Sequence, residues 1–299
     1  MTSNLNSQVH TYVHTSVRMS LRTLRLARTI DARRMLCTST LGASGTLRVR
    51  GVDLFYIKNG RETEMPLLCM PGAMGTAETD FAPQLTGLSD ATQVISFDPR
   101  GYGRSRPPAR EFPIDFYQQD ADDAAALMKA LGHERYALMG WSDGAISAVM
   151  HAASHPAAVA KLIIFGGNAY LTKKDIDAFE ATRNVEATWS RRQKETHYPI
   201  YGAEGLQKMW GSACDAWAAI YEHSQGDVCM RQAKSITCPT MVLHGAKDPI
   251  CLPEHAEWFK ANIPGDGATS LHVLPEGKHN LHIRFADEVN GLVRDFLKR

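Results

Sequence analysis

The chain has 299 residues, of which 44% are hydrophobic and 22% charged, and this is enough apolar material for one large domain with a substantial core. Lysine and arginine (33) almost balance aspartate and glutamate (32), so the net charge provides no general attraction to nucleic acid or anionic lipid. No stretch approaches the roughly 18 to 20 apolar residues of a membrane-spanning helix. We therefore expect neither a nucleic-acid nor a membrane partner, and we expect a monomer.

Residues 1–45 differ in composition from the rest of the chain. They contain six arginines, no lysine and a single acidic residue, Asp31, they are rich in serine and threonine, and aliphatic residues are spaced among the arginines as in an amphipathic helix. This composition is typical of a mitochondrial transit peptide. We expect a leader that directs the protein to the mitochondrial matrix, followed by one domain at 46–299. The alternative is a basic tail on a cytoplasmic protein.

After residue 45, short apolar runs alternate with helical patterns. This alternation predicts a mostly parallel, eight-stranded sheet flanked by helices. Most of these runs are continuously apolar and are bounded by Gly, Pro or Asp, which is typical of buried central strands. The predicted strands are 47–50 and 54–57, which form a hairpin, then 66–70, 93–97, 136–139, 161–165, 239–244 and 270–274.

Helices are predicted at 120–131, 145–154 and 286–297 from apolar residues that recur at helical spacing. The segment between the strands at 161–165 and 239–244 is too long for an ordinary loop, contains little strand pattern, and is rich in tryptophan and tyrosine. We expect it to form a helical cap at about 168–235. Its aromatic residues either line a substrate pocket or pack the cap, and the sequence leaves both possibilities open.

Six cysteines show neither the paired spacing of a metal site nor the density of a disulfide framework. We interpret them as reduced thiols and expect no metal and no organic cofactor. They are Cys37, Cys69, Cys214, Cys229, Cys238 and Cys251.

A G-x-S-x-G motif centred on Ser142 lies between the strand predicted at 136–139 and the helix predicted at 145–154. The motif alone is weak, but this position is that of a nucleophile elbow, where a strand turns sharply into a helix and exposes the serine. A serine hydroxyl is a poor nucleophile without a base and an orienting acid. The motif therefore requires both partners further along the chain.

Asp248 and His279 have the required order and position. Each follows a predicted strand, and residues at the carboxyl edge of a parallel sheet carry function. We expect His279 to act as general base towards Ser142 and Asp248 to orient the histidine. The oxyanion of the tetrahedral intermediate would be bound by the backbone N–H groups of Asp143 and of Ala73, which lies in the glycine-rich turn after the strand at 66–70.

Several segments resemble the biphenyl hydrolase-like (valacyclovir hydrolase) family of α/β-hydrolases, and the similarity extends from about Leu47 to the C-terminus. The segments are GWSDG at 140–144, DPRGYGRSRPP at 98–108, ETDF at 78–81 and PEGKHNLHIRFADE at 275–288. The resemblance implies an α/β-hydrolase fold and a mitochondrial hydrolase of α-amino acid esters, including aminoacyl ester prodrugs of nucleoside analogues, which uses the triad named above.

A carboxylate directly after the nucleophile is unfavourable, because at about 4 Å and an effective dielectric near 20 it would repel the oxyanion by roughly 4 kcal/mol. The α-ammonium of an amino acid ester could offset Asp143, and we expect this residue to bind it. Alternatively, Asp143 only favours the N-terminus of the following helix. We interpret Asp98, Arg100 and Arg104 as residues that brace their loop.

Several other functions compete with this interpretation. A hydrolase that cleaves carbon–carbon bonds in ring-fission diketones and a general carboxylesterase would use the same triad. A dehalogenase or epoxide hydrolase would need an aspartate in place of Ser142. A catalytically inactive binding protein would have lost a triad member, and this chain retains all three.

Overall fold

The computed structural model describes residues 37–39 and 41–299. The predicted transit peptide falls almost entirely outside the described residues. The sheet, however, begins before the predicted boundary at 46, because strands β1 (Cys37–Ser39) and β2 (Gly42–Val49) precede it or cross it. The composition of the segment did not reveal these strands, because β2 opens with small residues that lack apolar alternation and pair with the following strand through the backbone.

Within the described residues the sheet has nine strands in the order β1-β2-β3-β5-β4-β6-β7-β8-β9. The strands β1, β2, β3 and β5 pair antiparallel, and β5, β4, β6, β7, β8 and β9 pair parallel. The predicted class, a mostly parallel sheet flanked by helices, is confirmed, with one strand more than the eight predicted. The remaining strands are β3 (Val52–Asn59), β4 (Leu67–Met70), β5 (Val94–Phe97), β6 (Tyr136–Trp141), β7 (Val159–Phe165), β8 (Thr240–Gly245) and β9 (Thr269–Leu274).

Helices cover both faces of the sheet. They are α1 (Ala77–Gly87), α2 (Phe116–Ala130), α3 (Asp143–Ser154), α4 (Lys173–Ala181), α5 (Val185–Thr188), α6 (Arg191–Tyr201), α7 (Ala203–Ser224), α8 (Met230–Ala233), α9 (Pro253–Asn262), α10 (Leu281–Arg284) and α11 (Ala286–Lys298). In the part of the chain that the structure describes, no helix is both long enough and apolar enough to cross a membrane.

Two hydrophobic cores lie on opposite faces of the sheet, because successive side chains of a strand point in opposite directions. On β4, Leu67 and Cys69 pack with α1 and α11, whereas Leu68 and Met70 pack with α2 and α3. The same alternation continues along β6 and β7. The central strands are therefore buried on both faces, and their carboxyl ends are held rigidly.

The helices α4 to α8 lie between β7 and β8, within the range of the predicted cap. We call residues 168–235 the cap. Its aromatic side chains pack on one another: Trp210 lies 5.0 Å from Trp189 and 5.2 Å from Trp217 between ring centroids. Leu206, Trp217 and other cap residues join the core on the α2 and α3 face. The cap therefore packs directly on the face of the sheet that carries α3.

Candidate active site

Ser142 lies at the turn between β6 and α3, with φ 56° and ψ −125°. Few non-glycine residues adopt such a conformation, and the surrounding structure must maintain it. The two glycines of the motif allow this tight turn: a Cβ on Gly140 would lie 2.2 Å from the carbonyl oxygen of Gly144, and one on Gly144 would lie 2.0 Å from that of Met70. The serine is thus held at the rim of the sheet in a strained, partly exposed position.

The structure brings Ser142, His279 and Asp248 together, although they are far apart in the sequence. Ser142 Oγ lies 3.0 Å from His279 Nε2, and His279 Nδ1 lies 2.8 Å from Asp248 Oδ2. The three residues follow β6, β9 and β8, whose carboxyl ends meet at one edge of the sheet. These distances match those of a hydrogen-bonded nucleophile, base and orienting acid.

Asp248 is held as a carboxylate. Its second oxygen, Oδ1, accepts hydrogen bonds from the backbone N–H groups of Ile250 (2.8 Å) and Cys251 (3.0 Å). Burial opposes its ionisation, but the hydrogen bond and the charge of His279, together with these two N–H donors, hold the pKa of Asp248 below its usual range. An ionised Asp248 keeps the proton of His279 on Nδ1 and leaves Nε2 free to accept the proton of Ser142.

Two neighbours that the sequence analysis missed fix His279. The indole Nε1 of Trp141 donates a 2.8 Å hydrogen bond to the carbonyl of His279. Gly166, at the end of β7 and with φ 64°, lies directly beside the imidazole, so that a Cβ at this position would lie 3.1 Å from His279 Cε1. The only local signal was the pair of glycines after a predicted strand.

The turn after β4 lies against Ser142, as the predicted oxyanion hole requires. A Cβ on Gly72 would lie 3.1 Å from Ser142 Cβ, and Ala73 is the next residue. Gly75 N–H donates a 3.0 Å hydrogen bond to the Gly72 carbonyl and closes the turn. The two N–H groups predicted as donors, those of Ala73 and Asp143, thus belong to segments that flank the nucleophile. We call residues 71–76 the oxyanion loop.

Asp80, in the first turn of α1, holds the oxyanion loop in place, and the sequence analysis did not predict this role. Its Oδ2 accepts a 2.9 Å hydrogen bond from Gly72 N–H, and its Oδ1 accepts one of 2.8 Å from the Thr79 hydroxyl. Burial raises the pKa of Asp80 to about 7, with the hydrogen bonds from Thr79 and Gly72 opposing the shift. His282 Nε2 lies 2.8 Å from the Asp80 carbonyl and ties the start of α1 to α10.

The carboxylate of Asp143 has one oxygen bound and one oxygen free. Oδ1 accepts a 3.0 Å hydrogen bond from the Tyr117 hydroxyl, which itself accepts one of 2.9 Å from Trp217 Nε1 in the cap. Oδ2 is buried, and across residues 41–299 no side chain or backbone group donates to it. Burial raises the pKa of Asp143 to about 7, against the lowering effects of Tyr117 and Arg110.

Arg110 does not neutralise Asp143 by a direct ion pair. It forms two 2.7 Å hydrogen bonds to the carboxylate of Asp120 instead. Asp98 accepts hydrogen bonds from the backbone N–H groups of Ala77 (2.9 Å) and Arg104 (2.8 Å), in line with the predicted bracing role. Among the residues that the structure describes, no group of three or more His, Cys, Asp or Glu side chains could hold a metal ion.

Comparison with known proteins identifies the family. A model of the serine aminopeptidase S33 family matches residues 81–284. The serine hydrolase BPHL of Mus musculus is 42% identical over 260 residues, which is 87% of this chain and 88% of the mouse protein. The Homo sapiens protein is 41% identical over 260 residues, 85% of this chain and 86% of its own length. The chain belongs to the BPHL (biphenyl hydrolase-like) family.

Solved structures confirm the α/β-hydrolase fold of this BPHL family member. A meta-cleavage product hydrolase from Pseudomonas fluorescens superposes with a TM-score of 0.69 at 19% identity and covers 85% of this chain and 97% of its own. At this identity the likeness shows the fold alone. The sequence matches to the BPHL proteins show in addition that the chain is a serine hydrolase.

Proposed function

We propose that the protein hydrolyses α-amino acid esters through an acyl-enzyme formed on Ser142. One observation carries the proposal: in the residue directly after the nucleophile, the buried carboxylate oxygen Asp143 Oδ2 has no hydrogen-bond partner among the residues that the structure describes. A buried carboxylate oxygen without a donor is costly. A substrate that brings its own ammonium group would satisfy this oxygen.

Ser142, His279 and Asp248 would carry out the bond-breaking steps. As Ser142 Oγ attacks the ester carbonyl, His279 Nε2 takes its proton and then gives it to the leaving alcohol. Water, activated by the same nitrogen, cleaves the acyl-enzyme and releases the amino acid. Asp248 stabilises the imidazolium that forms in each half-reaction. The N–H groups of Ala73 and Asp143 would bind the oxyanion.

The position of Asp143 favours an α-amino acid as the acyl group. The ammonium of such an ester lies one carbon from the reacting carbonyl, so it can reach the residue next to Ser142 during attack. It would also remove the repulsion between the Asp143 carboxylate and the developing oxyanion. The family resemblance supports the same substrate class and extends it to aminoacyl ester prodrugs of nucleoside analogues, where the leaving group is the nucleoside hydroxyl.

The test is a rate comparison across three substrates with purified enzyme: an aminoacyl ester, the matching ester without the amino group, and a vinylogous diketone. We expect kcat/KM to be highest for the aminoacyl ester. Equal rates for the two esters would indicate a general carboxylesterase, and preferential cleavage of the diketone would indicate a carbon–carbon bond hydrolase.

We also propose that the protein acts as a monomer in the mitochondrial matrix. The arginine-rich, acid-poor composition of residues 1–45 supports import, and the test fusion stops at residue 36 so that it leaves out strand β1, which begins at Cys37. A fusion of residues 1–36 to a fluorescent reporter should enter mitochondria, whereas cytoplasmic fluorescence would favour the basic-tail alternative. Sedimentation of the protein without this segment should give the mass of one chain.

A further inference from the structure

Tyr201, the last residue of α6, extends from the cap to the oxyanion loop. Its hydroxyl donates a 2.9 Å hydrogen bond to the carbonyl of Met74 and accepts one of 3.2 Å from Gly103 N–H. The residue is buried, with 8% of its surface exposed. One hydroxyl group of the cap therefore joins two loops that follow β4 and β5.

The oxyanion loop needs such a contact, because its conformation is strained. Met74 is buried and has φ 61°, a left-handed conformation that a residue with a side chain rarely adopts. Asp80 fixes the loop at Gly72, and Tyr201 fixes it at Met74. Ala73, whose N–H we assign to the oxyanion hole, lies between these two fixed points.

The hydroxyl of Tyr201 is itself held in place. The guanidinium of Arg106 lies 4.9 Å from the centroid of the Tyr201 ring. The same guanidinium donates hydrogen bonds to the carbonyls of Gly103 (2.9 Å) and Ile200 (2.6 Å). Gly202, which has φ 69°, follows Tyr201 and caps α6. The ring therefore has little freedom to move independently of the loop that follows β5.

We propose that Tyr201 is a positioning residue for the oxyanion hole, which sets the direction of the Ala73 N–H through the Met74 carbonyl. Transition-state stabilisation at Ser142 then depends on how the cap is seated. This inference rests on the oxyanion loop assigned in the proposed function, but not on the ammonium-binding role of Asp143. A hydroxyl that only fastened the cap would change stability without changing the chemical step.

Tyr201→Phe removes the hydroxyl and keeps the ring beneath Arg106. We expect kcat to fall about tenfold with KM nearly unchanged, because a displaced donor weakens binding of the transition state more than binding of the substrate. The inhibition constant of a trifluoromethyl ketone, which forms a tetrahedral adduct on the serine, should rise by a similar factor. Tyr198→Phe is the matched control, because its hydroxyl bonds within the cap to Glu186, and it should behave as wild type.

The measurements use a p-nitrophenyl ester without an amino group as well as an aminoacyl ester. Both should lose kcat equally, so a wrong assignment of Asp143 would leave this test intact. An unchanged kcat and inhibition constant in folded Tyr201→Phe would overturn the proposal. If that variant does not fold, Arg106→Gln replaces it, because this substitution leaves the Tyr201 hydroxyl but removes the cation above the ring. We expect Arg106→Gln to lower kcat two- to threefold with a parallel rise in the inhibition constant. Wild-type values of both would overturn the proposal.

Discussion

Tyr117 donates a 3.0 Å hydrogen bond to Oδ1 of Asp143, so the carboxylate beside the nucleophile is oriented by a phenol that is itself bound by Trp217 of the cap. This contact favours the ionised form of Asp143, which burial disfavours. Tyr117 thereby favours the negative charge on Asp143, to which a substrate ammonium would bind.

Tyr117→Phe should weaken recognition of the amino group. Without the phenol the pKa of Asp143 rises further above its ordinary value, and fewer molecules carry the carboxylate at neutral pH. We expect KM for an aminoacyl ester to rise about tenfold, the magnitude of one lost hydrogen bond to a charged group. KM for the matching ester without an amino group serves as the control and should change little. A parallel rise for both esters would show that Tyr117 shapes the pocket generally.

Ser142 offers a test of both chemistry and strain. Ser142→Ala should lower kcat at least about 10⁴-fold, because it removes the nucleophile, whereas Ser154→Ala, at the far end of α3, should retain activity. Ser142→Gly should be equally inactive but more stable than Ser142→Ala by about 1 to 2 kcal/mol, because glycine adopts φ 56° without strain. Urea denaturation of both variants measures the difference. Equal stabilities would contradict the strained turn.

Gly166 should be intolerant of any side chain. The Cβ of Gly166→Ala would contact the imidazole of His279 at 3.1 Å, and φ 64° is unfavourable for alanine. We expect kcat to fall about 10- to 100-fold through displacement of the general base. Gly291→Ala in helix α11 is the control, because a Cβ there meets no atom of the described residues within 4 Å. A fully active Gly166→Ala would mean that His279 adjusts freely.

The ratio of kcat/KM for an aminoacyl ester to that for its analogue without the amino group should depend on pH. Burial raises the pKa of Asp143 to about 7, so its carboxylate is lost as the pH falls through 7. The substrate ammonium, with an α-amino pKa of about 7.7 to 8.0, is lost at higher pH. We expect the ratio to be greatest between these limits. The same triad acts on both esters, so its contribution cancels in the ratio. A ratio that stays constant from pH 5.5 to 7 would refute the assignment.

The sequence was sufficient to place Ser142, Asp248 and His279 at one sheet edge, because each follows a strand and the carboxyl ends of parallel strands meet. It was not sufficient for the residues around them. Tyr117 and Trp217 are 100 positions apart, and their contact depends on how the cap folds back onto α2. The contact between Asp80 and Gly72 was missed as well, because it depends on how helix α1 folds back onto the turn that precedes it.

Helix boundaries show the same limit. Helix α1 was not predicted, because it contains Pro83, which usually breaks a helix, and because it buries polar residues such as Asp80 and Gln84. Helix α2 begins at Phe116, one turn before the predicted start at 120. Its first buried residues are aromatic and pack against the loop after β5 and the cap, so that tertiary contacts rather than helical periodicity determine where it starts.

Substrate selectivity in Asp143→Asn tests the central claim most directly. The substitution keeps the shape of the side chain and removes its charge, and Asp177→Asn, an exposed carboxylate paired with Lys173 in the cap, is the control. We predict that the ratio of kcat/KM between an aminoacyl ester and its analogue without the amino group falls about 10- to 150-fold in Asp143→Asn, with hydrolysis of the analogue retained. An unchanged ratio in that variant would contradict recognition of the α-ammonium by Asp143.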